Sequence, residues 1–324
     1  MSFDIRQEGR PAAQGGTQTD QLAALLEVTR DMPDVVFVSA DATRSFRLSR
    51  QLCDMPGKVI EVGVAEASAI GIGYGLALKN FRPFVLGFST FLLLRGLEMI
   101  RSLVCYHDAS VTLLGGMSGL SNSRDGFMHQ STDDVGILSG IGKIRIMTPS
   151  DASSLSATAT EMWNARGPKF IRLYRTVIDL GDNASPLTTW SPVATRLDFG
   201  NDFAIVSYGA VLAECAASVN ALRAEGKRGK LIEMLQLQPF DKGALLSALG
   251  GVKLAVSVED HLIQSGLGSR LRATVKECRG SECKVVNLGL QDGQYGSSGH
   301  LHDLFASYHL DAQSIKQTVL SELS

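Results

Sequence analysis

The sequence predicts an α/β protein built from two doubly wound, mostly parallel-sheet domains, and three observations carry this expectation. Short runs rich in Val, Ile, Leu and Phe recur at residues 34–39, 110–114, 169–175, 203–208 and 284–289, with the near-continuous apolar character of strands covered on both faces. Between them lie segments with helical apolar spacing, and strands alternating with helices imply parallel sheets. Residues 176–200 contain two prolines and no sustained period, so they read as a linker. The expected division is an arm at 1–18, a first domain at 19–176, a linker at 177–200 and a second domain at 201–324, which suits a chain of 324 residues.

Composition narrows the class of protein. With 44% apolar residues, 20% charged residues and a net charge of −2, a sizeable core is available and no nucleic-acid footprint is visible. The five cysteines, Cys53, Cys105, Cys215, Cys278 and Cys283, include no C-x-x-C pair and read as free thiols in a reducing compartment. No targeting segment opens the chain, and its most apolar run, 84–94, is too short to cross a bilayer. The expectation is a soluble, cytoplasmic protein.

Taken in order, residues 1–17 read as a loose polar arm and 19–30 as a helix ending before Pro33. Residues 34–39 form a buried strand, and Asp41 follows at its carboxyl end, where open α/β sheets face their ligands. Asp41 is read two ways, as a solvated turn residue or as a ligand-facing one. A second β-rich segment, 59–62, turns at Gly63-Val64-Ala65 into a run of small and apolar residues bearing one carboxylate, Glu66. An acid at the start of a helix is favoured by the helix dipole alone. Yet Gly71, Gly73 and Gly75 allow close packing on all sides, which would shelter Glu66 and oblige it to find a partner.

The segment 82–91, RPFV followed by S-T-F, leads into a helix carrying Arg95, Glu98 and Arg101. These three could form no more than an i,i+3 charge ladder. After strand 110–114 comes a Gly- and Ser-rich loop, 115–130, at the end of a strand where α/β proteins keep their chemistry. It lacks the G-K-[ST] of a phosphate loop and contains Asp125-Gly126 and His129-Gln130. Strand 143–147 is followed by Thr148-Pro149-Ser150-Asp151, a helix start. Arg175 closes the first domain, either as an interdomain ion-pair residue or as a fork for a dianion. In the second half, strands at 203–208, 229–234, 252–259 and 284–289 alternate with helices at 210–225, 241–249 and 266–278. Glu259 and His261 read as structural.

The G-V-A-E of Gly63 to Glu66, the small-residue helix ending G-L-A-L, the R-P-F-V and S-T-F of the next strand and the Arg four residues on resemble the pyrimidine-binding domain of transketolase-type thiamine diphosphate enzymes. The spacing from Glu66 to Phe91 aligns without a gap to the deoxyxylulose-phosphate synthase branch. The loop resembles the family's D-G-x-T-H-Q motif. From Thr19 onward the chain resembles a pyrimidine domain followed by the transketolase C-terminal domain, including V-x-V-E-[DE]-H at 256–261 and G-S-S-G at 296–299. The resemblance implies that Glu66 holds N1′ of the aminopyrimidine and favours the imino tautomer, whose 4′ nitrogen takes the thiazolium C2 proton. It also implies that Phe91 stacks on the pyrimidine, that Arg95 and Asp41 approach the cofactor, and that Asp125, His129 and Arg175 hold substrate. An imidazole suits the proton transfers at oxygen that ketol transfer requires.

Two departures bear on the substrate. Phe127-Met128 stand where relatives have Pro-Thr or Gln-Thr, and Met117 stands where many full-length transketolases have a His for sugar phosphate. A third bears on architecture. The Gly-Asp-Gly followed further on by Asn, which in the family binds Mg2+ and the cofactor diphosphate, is not found; Gly181-Asp182-Asn183 lies in the linker. Since a diphosphate calls for an oxygen-ligated cation, the expectation is the smaller subunit of a split enzyme. It would dimerise and share the cofactor and its metal with a diphosphate-binding partner in an α2β2 assembly. The alternatives are the β subunit of a 2-oxoacid dehydrogenase and a non-catalytic scaffold.

Overall fold

The computed structural model describes residue 29 and residues 32–46, 57–278, 280, 282–294 and 297–324. The arm at 1–18, the helix expected at 19–30 (Thr29 apart), Cys53 and Gly296 lie outside the described residues.

The first half begins with the strand foreseen at 34–39. Its β-branched run forms β1 (Val35–Ser39), buried at every residue, and beside it lies the short edge strand β2 (Val59–Glu61). Next come α1 (Glu66–Leu78), β3 (Arg82–Phe88) and α2 (Ser89–Met99), which runs on through a π-helical turn at Ile100–Cys105. β4 (Thr112–Gly116), α3 (Asp134–Ile141), β5 (Arg145–Met147), α4 (Ala152–Asn164) and β6 (Lys169–Arg172) complete it. Asp151 caps α4 as its position before the helix suggested: its Oδ1 accepts the Ser154 N–H at 2.8 Å, and the Ser154 hydroxyl answers the Asp151 N–H at 3.0 Å. Such a reciprocal cap satisfies two orphan donors.

The second half contains β7 (Val193–Asp198), β8 (Phe203–Ser207), α5 (Leu212–Ala224), β9 (Gly229–Met234), β10 (Gln236–Gln238), α6 (Lys242–Leu249) and β11 (Leu254–Leu262). It ends with α7 (Leu267–Glu277), β12 (Lys284–Leu290), α8 (Leu301–Ser307) and α9 (Ala312–Leu323). The two sheets run β10-β5-β6-β4-β3-β1-β2 and β12-β11-β8-β9-β7. Among the described strands, β10 on β5 and β7 on β9 are the antiparallel pairings. The fold class is therefore as the alternation of strands and helices indicated.

Three details differ from the sequence reading. The stretch expected to be a linker contains β7, which completes the second sheet. β10, from the second half of the chain, adds to the first sheet, so the halves share backbone pairing as well as side-chain packing. The small-residue helix α1 is packed on one side only: Ala69, Ile70 and Gly73 are buried, whereas Ile72 and Leu78 are 37% and 60% exposed, and Val64 in the turn before the helix is exposed too. Gly71 and Gly75 face open space.

Buried ions tie the halves together. Arg196 of β7 donates to Asp151 at 2.5 Å and pairs with Glu233 of β9, all three on adjoining elements of the two halves. Such a pair tolerates no single deletion, because the partner left behind would be an uncompensated buried charge.

Candidate active site

The carboxyl ends of β1, β2, β3, β4 and β6 all deliver loops to one edge of the first sheet. In a parallel sheet that edge, where the strand order reverses around β1, is where ligands bind. Gly63, with φ of 71°, turns the chain after β2 so that Glu66 opens α1. The Glu66 side chain is 5% exposed and its partner is Arg95, whose Nη1 lies 3.2 Å from each carboxylate oxygen. The i,i+3 ladder of Arg95 with Glu98 is thus not what Arg95 forms. One turn after Phe91, its guanidinium also lies over the Phe91 ring, 4.4 Å from the centroid, a placement that adds cation–π attraction.

Phe91 is also approached by the loop after β4. The His129 ring meets it edge-on at 5.2 Å between centroids, and Phe88 stacks beside it at 5.9 Å. Glu66, Phe91, Arg95 and His129 therefore form one contiguous patch. The Nδ1 of His129 is buried and has no hydrogen-bond partner. A buried polar atom without a partner is uncommon and calls for an explanation; a ligand is one.

Asp125 and Arg175 stand at the rim, 45% and 56% exposed, and pair with each other at 3.4 Å. Arg175 donates more closely to Asn122, at 2.9 Å, a residue for which the sequence offered no signal. Phe127 and Met128, 48% and 69% exposed, form the adjoining apolar rim. Asp41 does not join the cluster through any hydrogen bond described. It is exposed, with φ of 53°, and its N–H donates to Glu61 Oε1 at 2.6 Å. Glu61 also accepts from the Gly63 N–H at 3.3 Å, so this carboxylate, unnoticed in the sequence, binds the turns after β1 and β2 together.

The second half of the chain closes on the same loop. Gln130 donates to the Ser297 carbonyl at 2.9 Å, the Gly299 N–H donates to the Ser123 carbonyl at 3.1 Å, and Arg124 approaches His300 at 3.4 Å. Glu259, Asp260 and His261 are fully buried. Glu259 receives the N–H groups of Leu267 and Gly268 at the start of α7, at 2.7 and 2.8 Å, which fits its structural reading. Burial pushes the Glu259 carboxyl up to about 7 and that of Asp260 up to about 6, and pushes the His261 imidazole down to about 4.

The sequence pattern of the transketolase pyrimidine-binding domain matches residues 19–179, and that of the transketolase C-terminal domain matches residues 193–315. The chain belongs to the transketolase family. It has the make-up of the C-terminal-type subunit of a split transketolase, with the two domains in the order the motifs indicated. A subunit of the apulose-4-phosphate transketolase of Actinobacillus succinogenes is 29% identical over 291 residues, covering 89% of this chain and 92% of that one. A 6-deoxy-6-sulfo-D-fructose transketolase subunit of a Clostridium species is 29% identical over 285 residues, covering 87% of each. A solved split-gene transketolase, described as an inactive beta4 tetramer, superposes with a TM-score of 0.81 at 25% identity, covering 95% of this chain and 98% of that one. The transketolase of Campylobacter jejuni shares the fold, with a TM-score of 0.79 at 16% identity, and this chain spans 48% of it.

The residues present fit the aminopyrimidine end of thiamine diphosphate, the cofactor that membership of the transketolase family implies. A sheltered carboxylate can hold a ring nitrogen, an aromatic ring in the same patch can stack on a flat heterocycle, and the partnerless His129 nitrogen leaves a hydrogen-bonding position open beside them. Among the described residues no cluster of three His, Cys, Asp or Glu side chains could hold a metal ion.

Proposed function

We propose that this chain is the smaller subunit of a two-component transketolase-like enzyme, transferring a two-carbon ketol unit from a ketose to an aldehyde. The observation that supports this best is the sheltered Glu66 carboxylate in one patch with Phe91 and the partnerless His129 nitrogen. Thiamine diphosphate, when bound, supplies the nucleophilic carbon. Glu66 would hold the pyrimidine N1′ and share a proton with it, and Phe91 would offer its ring for stacking. Arg95 keeps the Glu66 carboxylate oriented and belongs to the same cofactor-facing group; Asp41 stands at the neighbouring loop. His129 would give and take the proton at substrate oxygen, with Asp125 holding a neighbouring hydroxyl.

Arg175 is the group offered to the anionic end of the ketose, since a guanidinium fork suits a dianion. Relatives of similar length named for apulose-4-phosphate and for 6-deoxy-6-sulfo-D-fructose support a specialised sugar, and the apolar rim of Phe127 and Met128 favours one outside the pentose phosphate set. The diphosphate and Mg2+ would be held by a partner subunit in an α2β2 assembly. The open face of α1, with Ile72 and Leu78 exposed, and the exposed Val64 in the turn before it support burial against another chain. So do the relatives that are named as one subunit of a transketolase and the tetrameric association of the split-gene protein.

The test is substrate exchange by the two reconstituted subunits. Ketose consumed in step with a new ketose formed from the aldehyde supports the proposal. Carbon dioxide release with transfer to a lipoyl acceptor would show a 2-oxoacid dehydrogenase subunit instead.

A further inference from the structure

Behind the patch lies a buried polar node that ketol transfer does not itself call on. Asp134, at the start of α3, is fully buried. Its Oδ2 accepts from the Ser89 hydroxyl at 2.9 Å and from Arg172 Nε at 3.0 Å. Ser89 opens α2, two residues before Phe91. Its hydroxyl also lies 3.0 Å from that of Ser131, which follows His129 by two residues. Arg172 reaches forward to the Ser131 carbonyl at 3.2 Å. The two elements that bring Phe91 and His129 within 5.2 Å of each other are thus pinned to one carboxylate.

From the other side, β11 holds the two ends of the same loop. Asp260 Oδ2 accepts the Leu120 N–H at 3.1 Å, the Leu262 N–H donates to the Thr132 carbonyl at 2.9 Å, and His261 Nε2 accepts the Gly136 N–H at 3.4 Å. Asp260 lies 3.8 Å from Arg172, and His261 lies 3.9 Å from Asp134. Gly119, with φ of 61°, has no room for a Cβ, which would fall 1.9 Å from Asp260 Oδ2. Asp260, His261 and Leu262 of the second domain therefore grip the loop that carries His129 and the helix after it, while Glu259 faces the start of α7.

We infer that Asp134, acting through Ser89, Ser131 and Arg172, is the positioning residue that sets the Phe91–His129 geometry, and that Asp260 and His261 extend this control to the C-terminal domain. The inference rests on the proposed function for its kinetic consequence but not for its structural one. A fixed hydrogen-bonded frame holds reacting groups to a fraction of an ångström, and a displacement near 1 Å can cost roughly 100-fold in rate. Surface exposure is not involved, since Ser89, Ser131, Asp134 and Arg172 are all buried.

The experiment compares Ser89→Ala with Ser257→Ala in the two-subunit enzyme loaded with thiamine diphosphate and Mg2+. Ser257 is an equally buried hydroxyl, bonded to Asn287 at 3.0 Å and remote from the loop. Ser89→Ala should lower kcat about ten-fold or more while cofactor affinity and KM stay within about two-fold. Ser257→Ala should leave kcat unchanged at a similar Tm, and Ser89→Thr, which keeps the hydroxyl, should restore most of the rate. Independently of turnover, the ring carbon shift of His129 in selectively labelled protein should move in Ser89→Ala and not in Ser257→Ala. An unmoved His129 shift, or a kcat loss of equal size in both alanine variants, would overturn the inference. An enzyme that turns over no ketose, with the His129 shift still moved by Ser89→Ala, would sink the functional proposal and leave the positioning role standing.

Discussion

Glu66 is buried beside an arginine that is half exposed, an asymmetry with a clear use. The carboxylate is kept from water, whereas the Arg95 guanidinium would still reach solvent if the carboxylate were removed. Glu66→Ala should therefore leave the fold and the assembly intact and lower ketol transfer by about 100-fold to 10,000-fold, the usual range for a group that handles a proton. Steady-state kinetics beside size-exclusion chromatography check this; a scaffold would lose neither activity nor assembly. Arg175→Met should act more narrowly, reducing kcat/KM for a phosphorylated ketose by at least about ten-fold while sparing an unphosphorylated one, as expected for loss of a charge-assisted contact. Equal losses on both substrates would mean that Arg175 serves the Asp125 and Asn122 turn instead.

At the level of elements, the loop after β4 depends on Gly119. Alanine there must adopt a left-handed backbone, which costs about 1–2 kcal/mol, and must also displace Asp260. Gly119→Ala should lower Tm by several degrees, at roughly 2–4 °C per kcal/mol for a chain of this size, and calorimetry against Gly71→Ala, where a Cβ meets nothing, provides the contrast. Much of this element structure was legible in the sequence. Glu66, Phe91, Asp125 and His129 stand in local motifs that follow strands and carry the family resemblance. Glu66 and Phe91 fall in the first turns of α1 and α2, Asp125 and His129 on the loop after β4, and Asp151 announces its helix. The pairing of Arg95 with Glu66 was not legible, because a helix offers the arginine Glu98 at i+3 as readily as the fold offers it Glu66. β10 has three residues, Gln236-Leu237-Gln238, too short for a period to show. The grip of 297–300 on 123–130 joins positions so far apart in the chain that no local pattern reports it.

The whole molecule is held by buried charge as well as by apolar cores, and this gives it a pH signature. His261, with its imidazole pushed down to about 4 by burial, faces Asp134, Arg172 and the Gly136 N–H, and binds fewer protons folded than unfolded. Its stabilising contribution is present above about 6.5 and is lost as pH falls toward about 4. Glu259, pushed up to about 7, acts in the opposite sense: its contribution is full below about 4.5 and is lost as pH rises to about 7. His261→Gln should therefore lose less Tm than the unsubstituted chain between pH 7 and pH 5, which scanning calorimetry would show.

The open face of α1 makes a second prediction at this scale. Gly75→Leu should leave the isolated chain folded, since nothing lies within 4 Å of that position, and should weaken association with itself or its partner, as sedimentation velocity would report. The central claim is that this chain supplies the pyrimidine end of a shared cofactor site and completes an enzyme only with a diphosphate-binding chain. Its most direct test measures ketol transfer by this chain alone, by the partner alone and by the two together, each with thiamine diphosphate and Mg2+. The account predicts transfer only from the mixture, abolished by Glu66→Ala; transfer by this chain alone, or by a mixture containing Glu66→Ala at the unsubstituted rate, would contradict it.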